Sequence, residues 1–339
     1  MDTLKFAYRY ISGDMNGAVG KINQYNDTYA PSGLNNLPDI TTTLSEKLLN
    51  AVDSTPIAKF SGSVGTIYTS SYKNNIIAIK TVTKEKKEIV MSDLNAMKTM
   101  IRSRLIRGPV LTNIYNSLKQ ELDMDIEFKS SLILNDKLKN NNYGFEFLNP
   151  INELCSKNEF VYHYVEGNPI MSVINDDNKY DIARRLVLFY FDTVFNKCIL
   201  LGDINERNIL YNNDTNKLTL IDYGTIDIIN EEQKKFLLNH CKNQRKSKAE
   251  FIGYLMDVWN TTYSYGCQIF KQARPFADVS NKKYDFSRIS TDINFYNNRN
   301  VKIPNNIIMV MRSYTQLINI LKKMKIKDNY TKDLEYLFI

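Results

Sequence analysis

Apolar positions follow different rhythms along the chain. Residues 60–68 and 75–83 are short runs rich in Ile, Val and Tyr, joined by a polar turn around Tyr72, Lys73 and Asn74, which predicts two β-strands. Residues 84–138 are charged and mostly helical in period, with a break at Gly108-Pro109. Residues 160–165 form another strand-like run, with Gly167 just after it. Residues 181–200 are too long and too continuously apolar for a strand, which predicts a buried helix. The run KLTLID at 217–222 predicts a short strand, and from Glu231 onward the pattern is helical apart from a polar loop over 273–304. Ahead of the first strand, residues 1–50 hold two helical stretches around a Pro/Gly/Asn-rich segment at 29–38. Strands first and helices afterwards predict an α+β chain, with a sheet-bearing lobe packed on a helical one.

Composition narrows the class. A chain of 339 residues allows two domains or one large two-lobed one, and 43% hydrophobic with 24% charged residues supports a sizeable core. Lys plus Arg number 44 and Asp plus Glu 37, a net +7 that leaves room for an anionic ligand, and no nucleic-acid partner is expected. The four cysteines, at 155, 198, 241 and 267, form no C-x-x-C pair and the chain has two histidines, so zinc and redox sites are not expected. Residues 186–201 are interrupted by Asp192, Asn196 and Lys197, too polar for a membrane span. The first residues lack the apolar core of a signal peptide and carry Asp2 and Asp14, so the expectation is a cytoplasmic protein. Two basic clusters read first as solvated helix faces: Lys234, Lys235, Lys242, Arg245, Lys246 and Lys248, and Lys322, Lys323, Lys325 and Lys327. Peripheral contact with an anionic membrane is the alternative reading.

The chemistry concentrates in a few short segments. In SGSVGTIY at 61–68, Gly62 and Gly65, with Ser63 between them, let a backbone approach a phosphate, although a plain hairpin has the same look. Fifteen residues after Gly65, the run IAIK ends an apolar strand on Lys80, as in the kinase lysine that reaches the α- and β-phosphates of ATP. In LGDINERN at 201–208, Asp203 and Asn208 stand five residues apart on a loop after a buried helix. Fourteen residues beyond Asn208, Asp222-Tyr223-Gly224 follows a short strand. This is the layout of a kinase catalytic loop and metal-binding turn. Asn208 and Asp222 supply the hard oxygens that Mg²⁺ takes, and Asp203 would accept the proton of an attacking hydroxyl or water. Lys80 needs an acidic partner. Residues 120–134 read as helical, which puts Asp123 and Glu127 on one face at i, i+4, and Glu127 is the candidate.

These residues resemble one branch of the kinase-like proteins, the UbiB/ADCK (aarF-domain) atypical kinases, over most of residues 20–260. The family's alanine-rich nucleotide loop, roughly A-A-A-S-I-G-Q-V-H, is similar to FSGSVGTIY at 60–68, and Pro56-Ile57-Ala58 precedes it. Its signature E-L-D-x-x-x-E matches Glu121, Asp123 and Glu127, at the end of a long insert of 47 residues counted from Lys80. Its K-x-G-Q motif is approximated by Lys21-Ile22-Asn23-Gln24, and its hinge strand resembles residues 160–167. No A-P-E motif follows Gly224. The departures are Gly62 for the third alanine, Asn23 for the central glycine, Leu201 for the histidine of H-A-D or H-G-D, and Asn205-Glu206-Arg207 for H-P-G.

The resemblance implies a bilobal protein-kinase-like fold of the α+β class. It has an N-terminal helical extension at 1–50, an N-lobe at 51–167 with a helical insert at about 84–115, and a helical C-lobe at 168–339. It implies ATP and Mg²⁺ as cofactors and an atypical kinase or ATPase activity. Asp203 is then catalytic; Gly62, Ser63, Gly65, Lys80 and Glu127 bind ATP; Asn208 and Asp222 bind the metal. Lys21, Gln24, Glu121 and Asp123 form a gating motif. The acceptor is a small molecule, a lipid or a protein. The alternatives are a Ser/Thr protein kinase, opposed by the long insert and the missing A-P-E, and a nucleotide-binding pseudokinase scaffold, suggested by Leu201 and Glu206.

Overall fold

The computed structural model describes residues 43–61, 64–102, 115–116, 118–244, 246–272, 305–326, 330 and 333. Lys21, Gln24, Gly62, Ser63, Arg245, Lys327, the helical stretches expected before residue 43, the break at Gly108-Pro109 and the polar loop at 273–304 lie outside them. In chain order the strands are β1 (Ile57–Ser61), β2 (Thr66–Tyr72), β3 (Asn75–Thr81), β4 (Phe145–Phe147), β5 (Glu159–His163), β6 (Asn168–Pro169), β7 (Ile199–Leu201), β8 (Ile209–Asn212), β9 (Lys217–Leu220) and β10 (Ile226–Ile228). The helices are α1 (Glu46–Ala51), α2 (Lys84–Arg102), α3 (Met124–Leu138), α4 (Ile170–Val173), α5 (Lys179–Phe195), α6 (Glu231–Gln244), α7 (Lys248–Trp259), α8 (Tyr263–Gln272) and α9 (Asn305–Lys323). The class is α+β. Among the described residues, no helix is long and apolar enough to cross a membrane.

The chain divides into two compact units. The first holds Met1–Asp136, Phe147–Glu166 and Asp222–Thr225; the second holds Lys137–Glu146, Gly167–Ile221 and Ile226–Ile339. In the first unit, β1, β2, β3 and β5 form an antiparallel sheet in the order β1-β2-β3-β5. The run expected as one strand at 60–68 is two, because it folds back on itself: Phe60 pairs with Ile67 and Ser61 with Thr66. Lys73 and Asn74, both at positive φ, close the β2–β3 hairpin. Alternation along β3 sends Ile77 and Ile79 into a core with Leu48, Tyr68, Leu154 and Val161, and Ala78 and Lys80 to the opposite face. A second core gathers Val64 with Val90, Leu94, Met97 and Met100 of α2.

The helix expected at 120–134 is interrupted: residues 118–121 are helical, the chain breaks at 122–123, and α3 begins at Met124. Asp123 stands just outside it and caps it: its carboxylate accepts the Asp125 N–H at 3.2 Å and its carbonyl the Ile126 N–H at 3.1 Å. Asp123 and Glu127 therefore do not share a helix face. A short polar side chain that bonds the backbone locally favours a cap over a helix interior.

In the second unit the helix expected at 181–200 ends at Phe195. The N–H groups of Asn196 and Lys197 both turn back to the Asp192 carbonyl, and Cys198 takes a left-handed φ of 59°. That residue breaks the helical path, and the apolar run continues as β7, paired antiparallel with β10. A second sheet has the order β4-β9-β8-β6. The second half is thus not purely helical. Its strands have two to four residues each, too few for the alternation to declare itself, and only β9 was expected.

Candidate active site

Lys80 leaves the sheet on the face opposite Ile77 and Ile79, and its Nζ lies 2.5 Å from Glu127 Oε1 and 3.5 Å from Asp222 Oδ1. All three residues belong to the first unit. Glu127, on α3, is 3% exposed and Lys80 15%. Burial works against the lysine's charge, but Asp222 and then Glu127 outweigh it and hold the ammonium well above the ordinary lysine range. Burial pushes the Glu127 carboxyl up, Lys80 pulls it back, Asp222 adds to the push, and the net direction is upward. Glu127 Oε1 also accepts the Tyr223 N–H at 3.2 Å, which ties the Asp222-Tyr223-Gly224 turn to the ion cluster.

That turn is fastened at each residue. The Asp222 Oδ1 accepts the Gly224 N–H at 3.0 Å. A Cβ on Gly224 would come within 3.3 Å of that same oxygen and 3.5 Å of Glu121 Cγ, so the approach favours glycine. Tyr223 is fully buried, and its hydroxyl oxygen accepts the Leu148 N–H at 2.6 Å, a bond that a phenylalanine would not make. Asp222 Oδ2 takes no hydrogen bond among the described residues and is the turn's oxygen left for a cation.

Gly65 lies beside the lysine: a Cβ built there would meet Lys80 Cε at 3.5 Å. Its carbonyl accepts Lys86 Nζ at 3.1 Å, and burial lowers the Lys86 amine to about 8. Lys86 was not singled out from the sequence, because a lysine in the first turn of a charged helix carries no distinguishing signal. Glu121 stands next to Gly224, and Asp123 approaches Lys157 at 3.9 Å.

Asp203 and Asn208 belong to the second unit. They lie on the loop between β7 and β8. Asn208 Nδ2 donates to the Asp203 carbonyl at 3.2 Å, leaving its Oδ1 without a partner among the described residues. The Asn208 carbonyl accepts the N–H of Ile221, the residue immediately before Asp222. Asp203 Oδ1 accepts two amide donors: Asn205 Nδ2 at 3.0 Å and, from α9, Gln316 Nε2 at 2.5 Å. Glu206 is paired with Lys323 of the same helix at 2.9 Å. The sequence places neither α9 residue at the loop and assigns Lys323 to a solvated basic face.

The ABC1 atypical kinase-like domain matches residues 39–251, more than half of the chain. The chain belongs to that family. The chain is 23% identical over 217 residues to the atypical kinase COQ8, mitochondrial, of Saccharomyces cerevisiae, a match covering 59% of this chain and 43% of that protein. The chain thus aligns with less than half of that relative's length. The protein Rv3197 of Mycobacterium tuberculosis, solved in complex with erythromycin, aligns with this chain at a TM-score of 0.62 and 14% identity, covering 95% of this chain and 92% of that one. Together these establish the UbiB/ADCK resemblance and a kinase-like α+β fold.

Proposed function

We propose that the chain binds Mg-ATP and acts as an atypical kinase on a small-molecule or lipid acceptor, or as an ATPase that uses hydrolysis to drive a conformational change. The observation that carries this reading is the buried Lys80–Glu127–Asp222 cluster. A buried ion pair costs more in desolvation than a purely structural contact needs, whereas a cation held in place by a carboxylate suits a polyphosphate. In this reading Lys80 takes the α- and β-phosphates, and Glu127 holds the lysine in position. Asp203 accepts the proton of the attacking hydroxyl or water, which displaces ADP from the γ-phosphorus.

The donor chemistry fits magnesium. Asp222 Oδ2 and Asn208 Oδ1, one in each unit, are hard oxygens that take no hydrogen bond among the described residues, the kind of ligand magnesium prefers. When bound, the ion neutralises phosphate charge.

The short passage from Gly224 through β10 to α6 at Glu231 supports a non-protein acceptor. It leaves few residues for the segment on which a kinase's protein substrate docks.

The test is phosphate release from Mg-ATP by wild type, Asp203→Asn and Asp222→Asn, with thermal stabilisation measured on the same samples. ATP at 100 times its dissociation constant stabilises a fold by about 2.7 kcal/mol, so binding is visible without turnover. We expect Asp203→Asn to lose turnover and keep the stabilisation, and Asp222→Asn to lose both the turnover and the magnesium dependence of the stabilisation. Stabilisation without turnover in wild type, for any acceptor supplied, would favour the scaffold reading, and full turnover in Asp203→Asn would sink the assignment.

A further inference from the structure

The loop that carries Asp203 is gripped at two points by one helix far along the chain. Gln316 donates its amide to Asp203, 113 positions earlier in the chain, and Lys323 binds both carboxylate oxygens of Glu206, at 3.0 and 2.9 Å. The two α9 residues are seven apart, close to two helical turns, so they leave the helix from one face about 10 Å apart. They meet loop residues three apart. All four belong to the second unit.

The Gln316 amide is oriented for Asp203 and not for itself. Its Oε1 is buried and has no hydrogen-bond partner among the described residues. Turning the amide over would set that oxygen against a carboxylate oxygen, so the observed orientation is the one Asp203 requires. Around Gln316 the helix is apolar, with Leu317, Ile318, Ile320 and Leu321 buried. A residue there for packing alone would be apolar too, without an orphaned oxygen. The helix is itself held in place. Tyr190 of α5 donates its hydroxyl to the Val310 carbonyl at 3.0 Å and meets Ser313 Oγ at 3.1 Å, and Tyr314 packs on Tyr190 and Phe191 at 6.0 Å each. Within the loop, the residue two before Asp203, Leu201, is apolar and buried, and gives packing without a hydrogen bond.

We propose that Gln316 and Lys323 are positioning residues of the active site. Gln316 fixes the rotation of the Asp203 carboxyl by holding Oδ1 together with Asn205. Lys323 cancels the Glu206 charge, which would otherwise repel phosphate from the loop. This rests on the proposed role of Asp203 as proton acceptor. The grip itself can be tested without turnover.

The experiment compares wild type with Gln316→Met, Lys323→Ala and Lys323→Arg. Amide hydrogen exchange is followed over residues 202–208, and kcat and KM are measured for Mg-ATP turnover. Gln316→Met keeps the side chain's length and removes the donor. It should speed exchange in the loop and lower kcat about tenfold while the KM for ATP stays within about twofold, as expected when a base is loosened and substrate binding is not. Lys323→Ala should raise the KM for ATP, and Lys323→Arg should restore it.

Exchange in the loop that is unchanged in both Gln316→Met and Lys323→Ala would overturn the proposal, whatever the turnover. A rise in kcat for Gln316→Met would overturn it as well, because the contact would then be a brake. If wild type hydrolyses no ATP, or Asp203→Asn matches wild type, the proposed function falls instead, and the exchange data alone decide whether α9 fastens the loop.

Discussion

Replacing Lys80 by Met keeps the side chain's length and removes its charge. Glu127, 3% exposed, then faces Asp222 with no cation between them. Breaking a buried pair in this way costs about 3–5 kcal/mol. The cost should depend on pH, with a sign fixed by the carboxyl's environment. Without the lysine, burial and Asp222 both raise the Glu127 pKa above its unfolded value. The folded variant then holds a proton that the unfolded chain releases, so its stability falls as pH rises past the unfolded carboxyl pKa. The stability lost by Lys80→Met relative to wild type should therefore be larger at pH 8 than at pH 5, measured by urea unfolding at both. A difference independent of pH would mean that Glu127 stays ionised without its partner. Lys80, Glu127, Asp203, Asn208 and Asp222 could all be picked from the sequence, because each sits in a short motif with characteristic neighbours. Gln316 and Lys323 could not. Their role arises from where a distant helix docks, and nothing in the residues beside them records it.

At the scale of elements, the legible parts were those long enough to show a period. The hairpin of β2 and β3 and the helix α5 follow from alternation and helical spacing, and the helical run expected from Glu231 resolves into α6 and α7, the second capped by Ser247 with Glu250. What failed was the division of continuous apolar runs. One run became the paired ends of β1 and β2, and another became α5 followed by β7, because backbone reversal and a left-handed residue leave hydrophobicity unchanged. The two-to-four-residue strands of the second unit are held by contacts from elsewhere. Arg185 of α5 is the clearest case. It donates to the carbonyls of Tyr143 and Gly144, just before β4, and to Asn216 in the β8–β9 turn. Gly144 has φ of 68°, and a Cβ there would lie 2.4 Å from Arg185 Nη2. Gly144→Ala should therefore cost about 2 kcal/mol or more, from the left-handed backbone and the displaced guanidinium together. Thermal unfolding checks this, and Arg185→Ala in the same background should cost much less than it does in wild type, since the two changes damage one staple. Additive losses would show that the glycine and the arginine act separately.

At the scale of the whole molecule, the acid limit of stability should be set in large part by His240. Its ring is buried in the second unit beside Phe251 and Tyr254 and stacks on Trp259 at 5.0 Å. Gln244 Nε2 lies 2.8 Å from His240 Nε2, and Tyr254 Oη lies 3.2 Å from Nδ1. An amide donor on Nε2 makes that nitrogen an acceptor, so the neutral ring carries its proton on Nδ1, toward the tyrosine. A second proton would have to sit on Nε2, against the Gln244 N–H, in a site that offers no carboxylate in these contacts. Burial lowers the ring to about 3. The unfolded chain takes up that proton below about pH 6.5 and the folded chain does not. Stability is therefore full above the unfolded pKa and falls by about 1.4 kcal/mol per pH unit below it, until the ring charges or the unit opens. Trp259 is the only tryptophan in the chain, so its fluorescence reports on this cluster directly. Urea midpoints followed by that signal should drop steeply between pH 6 and 4 in wild type. His240→Gln loses the titrating group, and in that variant the slope over this range should fall by about one proton's worth, even if the variant is less stable at neutral pH. Equal slopes in the two proteins would assign the acid transition to carboxylates elsewhere in the chain.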